Sequence, residues 1–587
     1  MSAHCWRIVA LLVVAVAGTL VHSLPPSCDS PIYCYGELLY TVQVKPNPPF
    51  YDDSKKFVDM RMKYSPNEVL QNFEDLKARE GGDIPQEELL KFVNDNFEDG
   101  NELEAAVPGD WKESPAVLNR IADPDLRQWA KELNALWKNL TRRVNDDVKQ
   151  NADRYSLLYV PNNFIVPGGR FRELYYWDTY WIVRGLLLSE MTSTVKGIIG
   201  NFVYMLENYG IIPNGGRVYY LQRSQPPTLT PMVANYYVAT KDVEYVRSII
   251  GTLDKEFQFW MDNRTVEVQK DGKTYTLARY FSPSEGPRPE SYREDYEIAH
   301  KTFDTDERRQ QFYEDIKSAA ESGWDFSSRW FIRDGSNNGT LSDIHTRNVI
   351  PVDLNAFLFW NARILSDFHK MLGDFNKAAK YTKIASDWKE AVTAVLWNED
   401  EGSWFDYDTL NNKQREYFYP SNVAPLWTKC YDESRAAIIG RKVVNYLDRS
   451  NIRSYLGGIP TSVNRSGEQW DLPNAWPPLQ SIVVQGLDET NEKSAKDLAY
   501  ELAKQWVRSN YRGYQDSMEM YEKYDAENPG KYGGGGEYTV QSGFGWTNGV
   551  VMEFLATYGE RLTANGNNKH RRRSLWNNFV PRGHGGK

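Results

Sequence analysis

Cysteine and histidine are both scarce in this chain, with four and seven in 587 residues. Cys5 lies at the N-terminal apolar run, which leaves Cys28, Cys34 and Cys430. Three cysteines cannot form a disulfide framework. Cys28 and Cys34 are close enough for one small local loop, and Cys430 is then expected to be a lone buried thiol. No pair of Cys-x-x-Cys motifs and no His-Glu-x-x-His is present, so no metal site is expected. The chemistry must come from side chains alone, with no cofactor. Positive charge is also in short supply. The 69 Lys and Arg face 79 Asp and Glu, and no extended basic stretch occurs before Lys569. A nucleic-acid partner is excluded on that pattern. Long apolar runs are missing too. Ile8 to Val21 is the one candidate, and it is short for a membrane span. Arg7 before it and Val21-His22-Ser23 after it make residues 1–23 a signal peptide. The C-terminus has no hydrophobic run, so no membrane or lipid anchor is expected.

What is abundant is aromatic. The chain has 19 Trp and 37 Tyr, and many sit beside Gly, Asn or Asp, as in Trp324-Asp325 and Trp546-Thr547-Asn548. That placement favours a binding surface over core packing alone. Four sequons, at Asn139, Asn263, Asn338 and Asn464, agree with a secreted, extracellular glycoprotein.

The organisation is helical. Residues 24–125 are rich in Pro, Asp, Glu and Asn, and read as an irregular N-terminal arm with a few short helices, packed on the main domain. Residues 126–564 carry that main domain. Leu126, Trp129, Leu133, Leu136, Trp137 and Leu140 recur every three or four residues, as one face of a helix requires. Helices are also predicted over Trp181 to Met191, Phe202 to Tyr209, Asp353 to Leu372 and Asn376 to Leu396, with Gly373-Asp374 as stop and restart. The same helix–turn–helix pattern continues at Ala436 to Leu447, Leu479 to Gly486, Glu492 to Ser509 and Thr547 to Tyr558. Short strands are predicted at Arg217 to Leu221 and Lys273 to Arg279, the second after an Asp271-Gly272 hairpin turn. Helical hairpins in series must bury their apolar faces on one another. Closure into a ring of inner and outer helices is one solution, with function in the loops at one end. The all-α class follows. Residues 565–587, with Lys569, Arg571, Arg572, Arg573 and no acid, read as a disordered basic tail.

Two segments concentrate the chemistry. Gly169 to Tyr180 reads Gly-Arg-Phe-Arg-Glu-Leu-Tyr-Tyr-Trp-Asp-Thr-Tyr, and Gln469 to Pro478 reads Gln-Trp-Asp-Leu-Pro-Asn-Ala-Trp-Pro-Pro. Aromatic faces cover the apolar faces of a sugar ring, while carboxylates and guanidinium groups take its hydroxyls. The carboxylates in aromatic or Gly-rich settings are Glu173, Asp178, Glu290, Asp325, Asp471, Glu522 and Glu537. Glycoside cleavage needs one protonated acid and one ionised base or nucleophile. Asp325, beside Trp324, suits the donor role because burial against a ring raises a pKa. Lys523 and two tyrosines around Glu522 suit an ionised base, although the residues alone do not rank Glu522 over Glu537. Gly533 to Gly536 lacks the Gly-Lys-Ser/Thr ending of a phosphate loop. It reads as a mobile flap or a plain surface loop. Arg170, Arg223 and Arg288 stand beside rigid or hydrogen-bonding neighbours, as hydroxyl clamps would.

At these motifs the chain resembles the trehalases. Pro167 to Tyr180 is similar to their first signature, Gln469 to Pro478 to their second, and the segment through Gly543 to Gly549 to their C-terminal glycine-rich motif. The resemblance spans about residues 30–560. It implies a six-hairpin α/α barrel and inverting hydrolysis of α,α-trehalose to two glucose molecules. It also implies Asp325 as general acid and Glu522 as general base. It places Arg170, Trp177, Asp178, Asn214, Arg223, Ser224, Gln225, Arg288, Pro289, Glu290, Gly323 and Glu537 at substrate-binding positions. The absent membrane tail resembles the soluble secreted form of insects. Two other readings stand beside this one. A hydrolase for another glucoside would turn over kojibiose or maltose. A sugar-binding protein without catalysis would release no glucose.

Overall fold

A computed structural model describes residues 24–564. The proposed signal peptide, with Cys5, and the basic tail lie outside the described residues. Six helices touch one another in a closed sequence: Asp178–Leu188, Leu229–Thr240, Val352–Leu372, Ala424–Thr428, Pro477–Asp488 and Gly545–Tyr558, which returns to the first. Most of their residues are buried, and Ala424–Thr428 is buried throughout. A helix that is apolar all round must be covered on all sides. The cover is a second set. Pro124–Leu140, Thr192–Tyr209, Val243–Arg264, Phe375–Val395 and Lys493–Ser517 pack against the ring, and Ala436–Arg449 packs on Lys493–Ser517. These outer helices bury one stripe each, such as Leu126, Trp129, Leu133, Trp137 and Leu140. Pro124–Leu140 packs on the final helix of the ring, so early and late parts of the chain meet at the seam.

Local signals account for the boundaries. Asp123 accepts from the amides of Asp125 and Leu126, and Pro124 occupies the first turn, where a missing N–H costs nothing. Gly373, at φ 85°, ends Val352–Leu372, and Asp374 caps the next helix by accepting from Lys377 N. Asp271 and Gly272, both at positive φ, turn the six-residue hairpin Thr265–Lys270 with Lys273–Ala278. The expected strand at Arg217 to Leu221 is instead a short 3₁₀ turn, Val218–Tyr220. Arg217 alone makes a bridge there, to Leu157. Its run of β-formers is used to bury Tyr219 and Tyr220, not to pair an edge.

The arm is more regular than its composition predicts. It contains Pro66–Arg79 and Gln86–Asn96, the first closed by a Ser65–Glu68 capping box. It has its own apolar cluster, built on Phe57, Phe73, Phe92 and Phe97 and completed by Tyr219 and Tyr220 of the main domain. Cys28 and Cys34 are disulfide-bonded, and Cys430 is free and buried. Among the described residues no helix is long and apolar enough to cross a membrane, and no cluster of potential metal ligands occurs.

Candidate active site

Segments leading into four of the inner helices, Asp178–Leu188, Leu229–Thr240, Pro477–Asp488 and Gly545–Tyr558, converge with two further loops on one cleft. Its walls come from Arg170 to Asp178, Asn214 to Gln225, Arg288 to Ser291, Gly323 to Asp325, Trp470 to Trp476 and Glu522 to Trp546. The space between these walls, open mouth included, is about 670 Å³. Rings form much of the wall. Trp470 and Trp476 stack at 3.9 Å with nearly parallel planes, Trp324 stacks behind Trp470, and Trp546 meets Trp476 edge-on. Trp177 stands 5.9 Å from Trp470. Gly323 makes room for it. At φ +76°, a Cβ there would come within 2.7 Å of the Trp177 ring.

The structure sorts the seven carboxylates. Asp178, Glu290, Asp325, Glu522 and Glu537 line the cleft. Glu173 does not. It is fully buried between Lys55 at 2.8 Å and Arg217 at 3.3 Å. Burial alone would raise its pKa, but those cations hold it near 2, a structural ion cluster joining arm to barrel. Asp471 is also structural. It accepts from Ser327, Ser328, Ser462 and Ser466 and ties its own loop to the segment that follows Asp325.

Within the cleft the acids differ. Burial pushes the Asp325 carboxyl up to about 7; Glu537 adds to the rise and Arg288 opposes it. Burial also raises Glu522, against Lys523, the Tyr538 hydrogen bond and Arg170. Tyr538 donates to Glu522 Oε1 at 2.7 Å, while Glu522 Oε2 is buried with no protein partner among the described residues. Glu537 is partly exposed and bound to Arg288 at 2.8 Å. The charges of Asp325 and Glu522 both act on Asp178, Lys523 and Tyr538, so the two acids share one locale. Asp178 is raised by burial first and by those two charges second.

The three arginines are fixed by carboxylates from elsewhere in the chain. Arg288 takes Asp295 through Nε and Nη2, at 2.9 and 2.7 Å, and Glu537 through Nη2. Arg223 pairs with Glu290 and reaches Asn214 Oδ1. Arg170 binds Asp53 of the arm at 2.6 Å and lies over the Tyr538 ring. Gln225 accepts from Trp177 N at 3.1 Å. Of the twelve residues at the implied substrate-binding positions, Ser224 and Pro289 are the two that do not line the cleft. Ser224 donates to Ile212 O, and Pro289 starts the short 3₁₀ turn that presents Glu290. Asp53, Tyr538, Tyr220 and Ser291 are part of the site or its support and had no motif to single them out, while Phe171 and Tyr175 line it from within the first motif.

The three sequons at Asn139, Asn263 and Asn338 are exposed, and Asn464 is half-buried, where its side-chain amide donates to Asn337 O.

The glycine run is a loop, exposed at Gly534 to Gly536, that lies against the second motif. Gly534 N donates to Asn474 Oδ1 and Gly534 O accepts from Asn474 Nδ2. A Cβ on Gly535 would meet Gly467 O at 2.7 Å, and one on Gly536 would meet the Gln469 side chain at 2.9 Å. The glycines permit close packing on the second motif.

A family model for trehalase matches residues 49–559. The chain belongs to the trehalase family. It is 52% identical to the trehalase of Apis mellifera over 541 residues, 92% of this chain and 86% of that one. It is 53% identical to the trehalase of Pimpla hypochondriaca, over 93% of each chain. The trehalase of Homo sapiens is 47% identical over 96% of this chain and 95% of its own. Among solved structures, neutral trehalase Nth1 from Saccharomyces cerevisiae superposes with a TM-score of 0.56 at 23% identity. It covers 71% of this chain and 80% of that one, and shares the α/α-barrel fold. The enzyme is therefore a glycoside hydrolase of the α,α-trehalase type, acting on trehalose.

Arginine geometry gives a first prediction. Arg288 serves two carboxylates at once, which the single ammonium of lysine cannot do in the same geometry. Arg288→Lys is expected to lower kcat/KM by about 10²-fold, and Arg288→Ala further still. Arg288→Ala also leaves Asp295 buried without its cation, which costs about 3–5 kcal/mol of stability. Arg223→Lys and Arg170→Lys are expected to follow in that order, since Arg223 is buried and bonds both Glu290 and Asn214, whereas the partly exposed Arg170 side chain bonds Asp53 alone. Steady-state kinetics beside thermal unfolding checks this; wild-type kcat/KM in all three lysine variants refutes it.

Proposed function

We propose that this chain is a secreted, glycosylated enzyme on a six-hairpin α/α barrel. In this reading it cleaves α,α-trehalose with inversion, Asp325 acting as general acid and Glu522 as general base. The observation that carries the assignment is the unlike setting of the two carboxyls. Asp325 is raised to about 7 by burial, so it holds a proton through most of the range below neutrality. Glu522 keeps one oxygen on Tyr538 and the other free of protein partners, with Lys523 favouring its ionised form. That free oxygen is suited to take a proton from water. Asp325 would donate to the glycosidic oxygen as the bond to the attacked ring breaks. Water, deprotonated by Glu522, would add to the opposite face of the anomeric carbon. The Trp470–Trp476 stack offers a flat wall to a sugar ring, and Arg223, Arg288, Asp178 and Glu537 offer partners to its hydroxyls. Secretion rests on residues 1–23 and the four sequons.

Stereochemistry tests the mechanism. Inversion at one ring of an α,α-linkage yields one β-glucose from the attacked ring and one α-glucose from the leaving ring. Proton NMR of the first turnovers, before mutarotation, is expected to show the two anomers in equal amounts. Release of α-glucose alone would mean retention, a covalent intermediate and a different pairing of acids.

The pH profile of kcat/KM gives a second test, because it reports the free enzyme. Activity should fall as pH rises through about 7, where Asp325 loses its proton. It should also fall at low pH as Glu522 gains one. Glu537 is one of the charges that raise Asp325. Glu537→Gln removes that charge, so the alkaline limb is expected to move to lower pH. A limb that stays in place or moves up would detach Asp325 from it.

A further inference from the structure

Gln469 is the first residue of the second motif and is nearly fully buried, at 2% exposure. It does not line the cleft, yet its side chain touches both sides of it. Gln469 Nε2 donates to the main-chain carbonyl of Asp325 at 2.5 Å. Gln469 Oε1 accepts from Lys523 Nζ at 2.6 Å, and Lys523 is the covalent neighbour of Glu522. Asp325 and Lys523 are 198 positions apart, so a single amide spans the gap between the two halves of the catalytic pair.

The glutamine itself is held firmly. Its own carbonyl accepts from Asn474 Nδ2 and from Trp476 Nε1, both at 2.9 Å. Gly536 lies on its side chain, closer than any residue with a Cβ could lie, and delivers Glu537 to Arg288. Lys523 is fixed in turn, buried over the Trp476 ring at 4.8 Å. An amide with a donor at one end and an acceptor at the other is the group that suits these two partners. A carboxylate would face the Asp325 carbonyl with an oxygen. A hydrocarbon would leave both the carbonyl and a buried ammonium unpaired.

We propose that Gln469 is a positioning residue: it sets the placement of the acid Asp325 relative to the base Glu522 through the Asp325 main chain and Lys523. The inference rests on the acid–base assignment above. Neither bond contacts the cleft, so substrate binding is little affected by their loss. Catalysis depends on placing acid and base within a fraction of an ångström, so the chemical step is affected strongly.

The test is Gln469→Met, which keeps length and removes both bonds. A fall in kcat of about 10- to 100-fold with KM within about threefold of wild type is expected. A double cycle with Lys523→Met adds a readout that packing alone would not move. Gln469→Met should cost clearly less in the Lys523→Met background, because half of the bridge is already gone. Wild-type kcat in a folded Gln469→Met enzyme overturns the proposal, as does full additivity in the cycle. A fall in melting temperature with unchanged kcat also overturns it, since that is packing alone. Should Gln469→Met not fold, Gln469→Glu takes its place. It is nearly isosteric, keeps the lysine contact and loses the donor to Asp325, so the same kcat loss is expected and its absence is decisive. Failure of the acid–base assignment itself would show separately, as activity retained by Asp325→Asn.

Discussion

Asp325→Asn should lose turnover by roughly 10²–10⁴-fold or more while trehalose binding stays measurable. The amide has the size of the acid but carries no proton that it can give to the leaving oxygen. No other acid of the cleft is expected to replace it. Asp178 also has a raised pKa, but it owes that to burial and then to the charges of Glu522 and Asp325, the second of which the variant removes. Glu537 is tied to Arg288. Asp325 makes no side-chain ion pair among the described residues, so its replacement by the isosteric amide should leave the fold intact. Calorimetric titration of trehalose into the variant separates binding from turnover. A glycoside with a leaving group that needs no protonation should be hydrolysed far better than trehalose by the same variant. Near-normal trehalose turnover in folded Asp325→Asn would end the assignment.

What could be read from the sequence was whatever depends on neighbours in the chain. Val352–Leu372 and Phe375–Val395 are legible because apolar spacing, Gly373 and Asp374 all act within one turn. The Asp271-Gly272 hairpin is legible for the same reason. Asp325 stands out because Trp324 is its covalent neighbour. The roles of Glu173 and Asp471 were not legible. Each sits in a motif as rich in rings as that of Glu522, and the difference lies in partners more than 100 residues away, Lys55 for one and Ser327 and Ser328 for the other. Asp53 was hidden in an arm whose Pro- and Asp-rich composition reads as irregular, yet it holds Arg170. The arm is thus part of the site's scaffold. Lys55, Glu102 and Arg217, all buried, form the ion cluster that fixes it to the barrel. The strand expected at Arg217 to Leu221 failed on the same ground, because burial of two tyrosines against the arm overrode a local preference.

Glu522→Gln is the companion experiment, and its expected loss is of the same size, roughly 10²–10⁴-fold in kcat. The physical cause differs. Glu522 Oε1 can still accept from Tyr538 as an amide oxygen, so the local structure should persist. The lost function is proton acceptance at Oε2, which an amide nitrogen cannot perform. Lys523 then faces a neutral neighbour, so its own pKa, already lowered by burial, should drop further. A base is needed because water is a poor nucleophile; an anion that needs no deprotonation bypasses it. Azide is therefore expected to rescue Glu522→Gln in part and to yield β-glucosyl azide, with the configuration inverted. The same anion should not rescue Asp325→Asn on trehalose, where the leaving oxygen still lacks its proton. Glu537→Gln supplies the contrast. Glu537 holds Arg288, so its loss should show mainly in KM and the alkaline limb, without azide rescue. The opposite pattern, rescue of Glu537→Gln by azide and wild-type turnover in Glu522→Gln, would transfer the base to position 537. In that case Tyr538, Lys523 and the buried Glu522 carboxyl would be scaffold, and water would approach from the Arg288 side of the cleft.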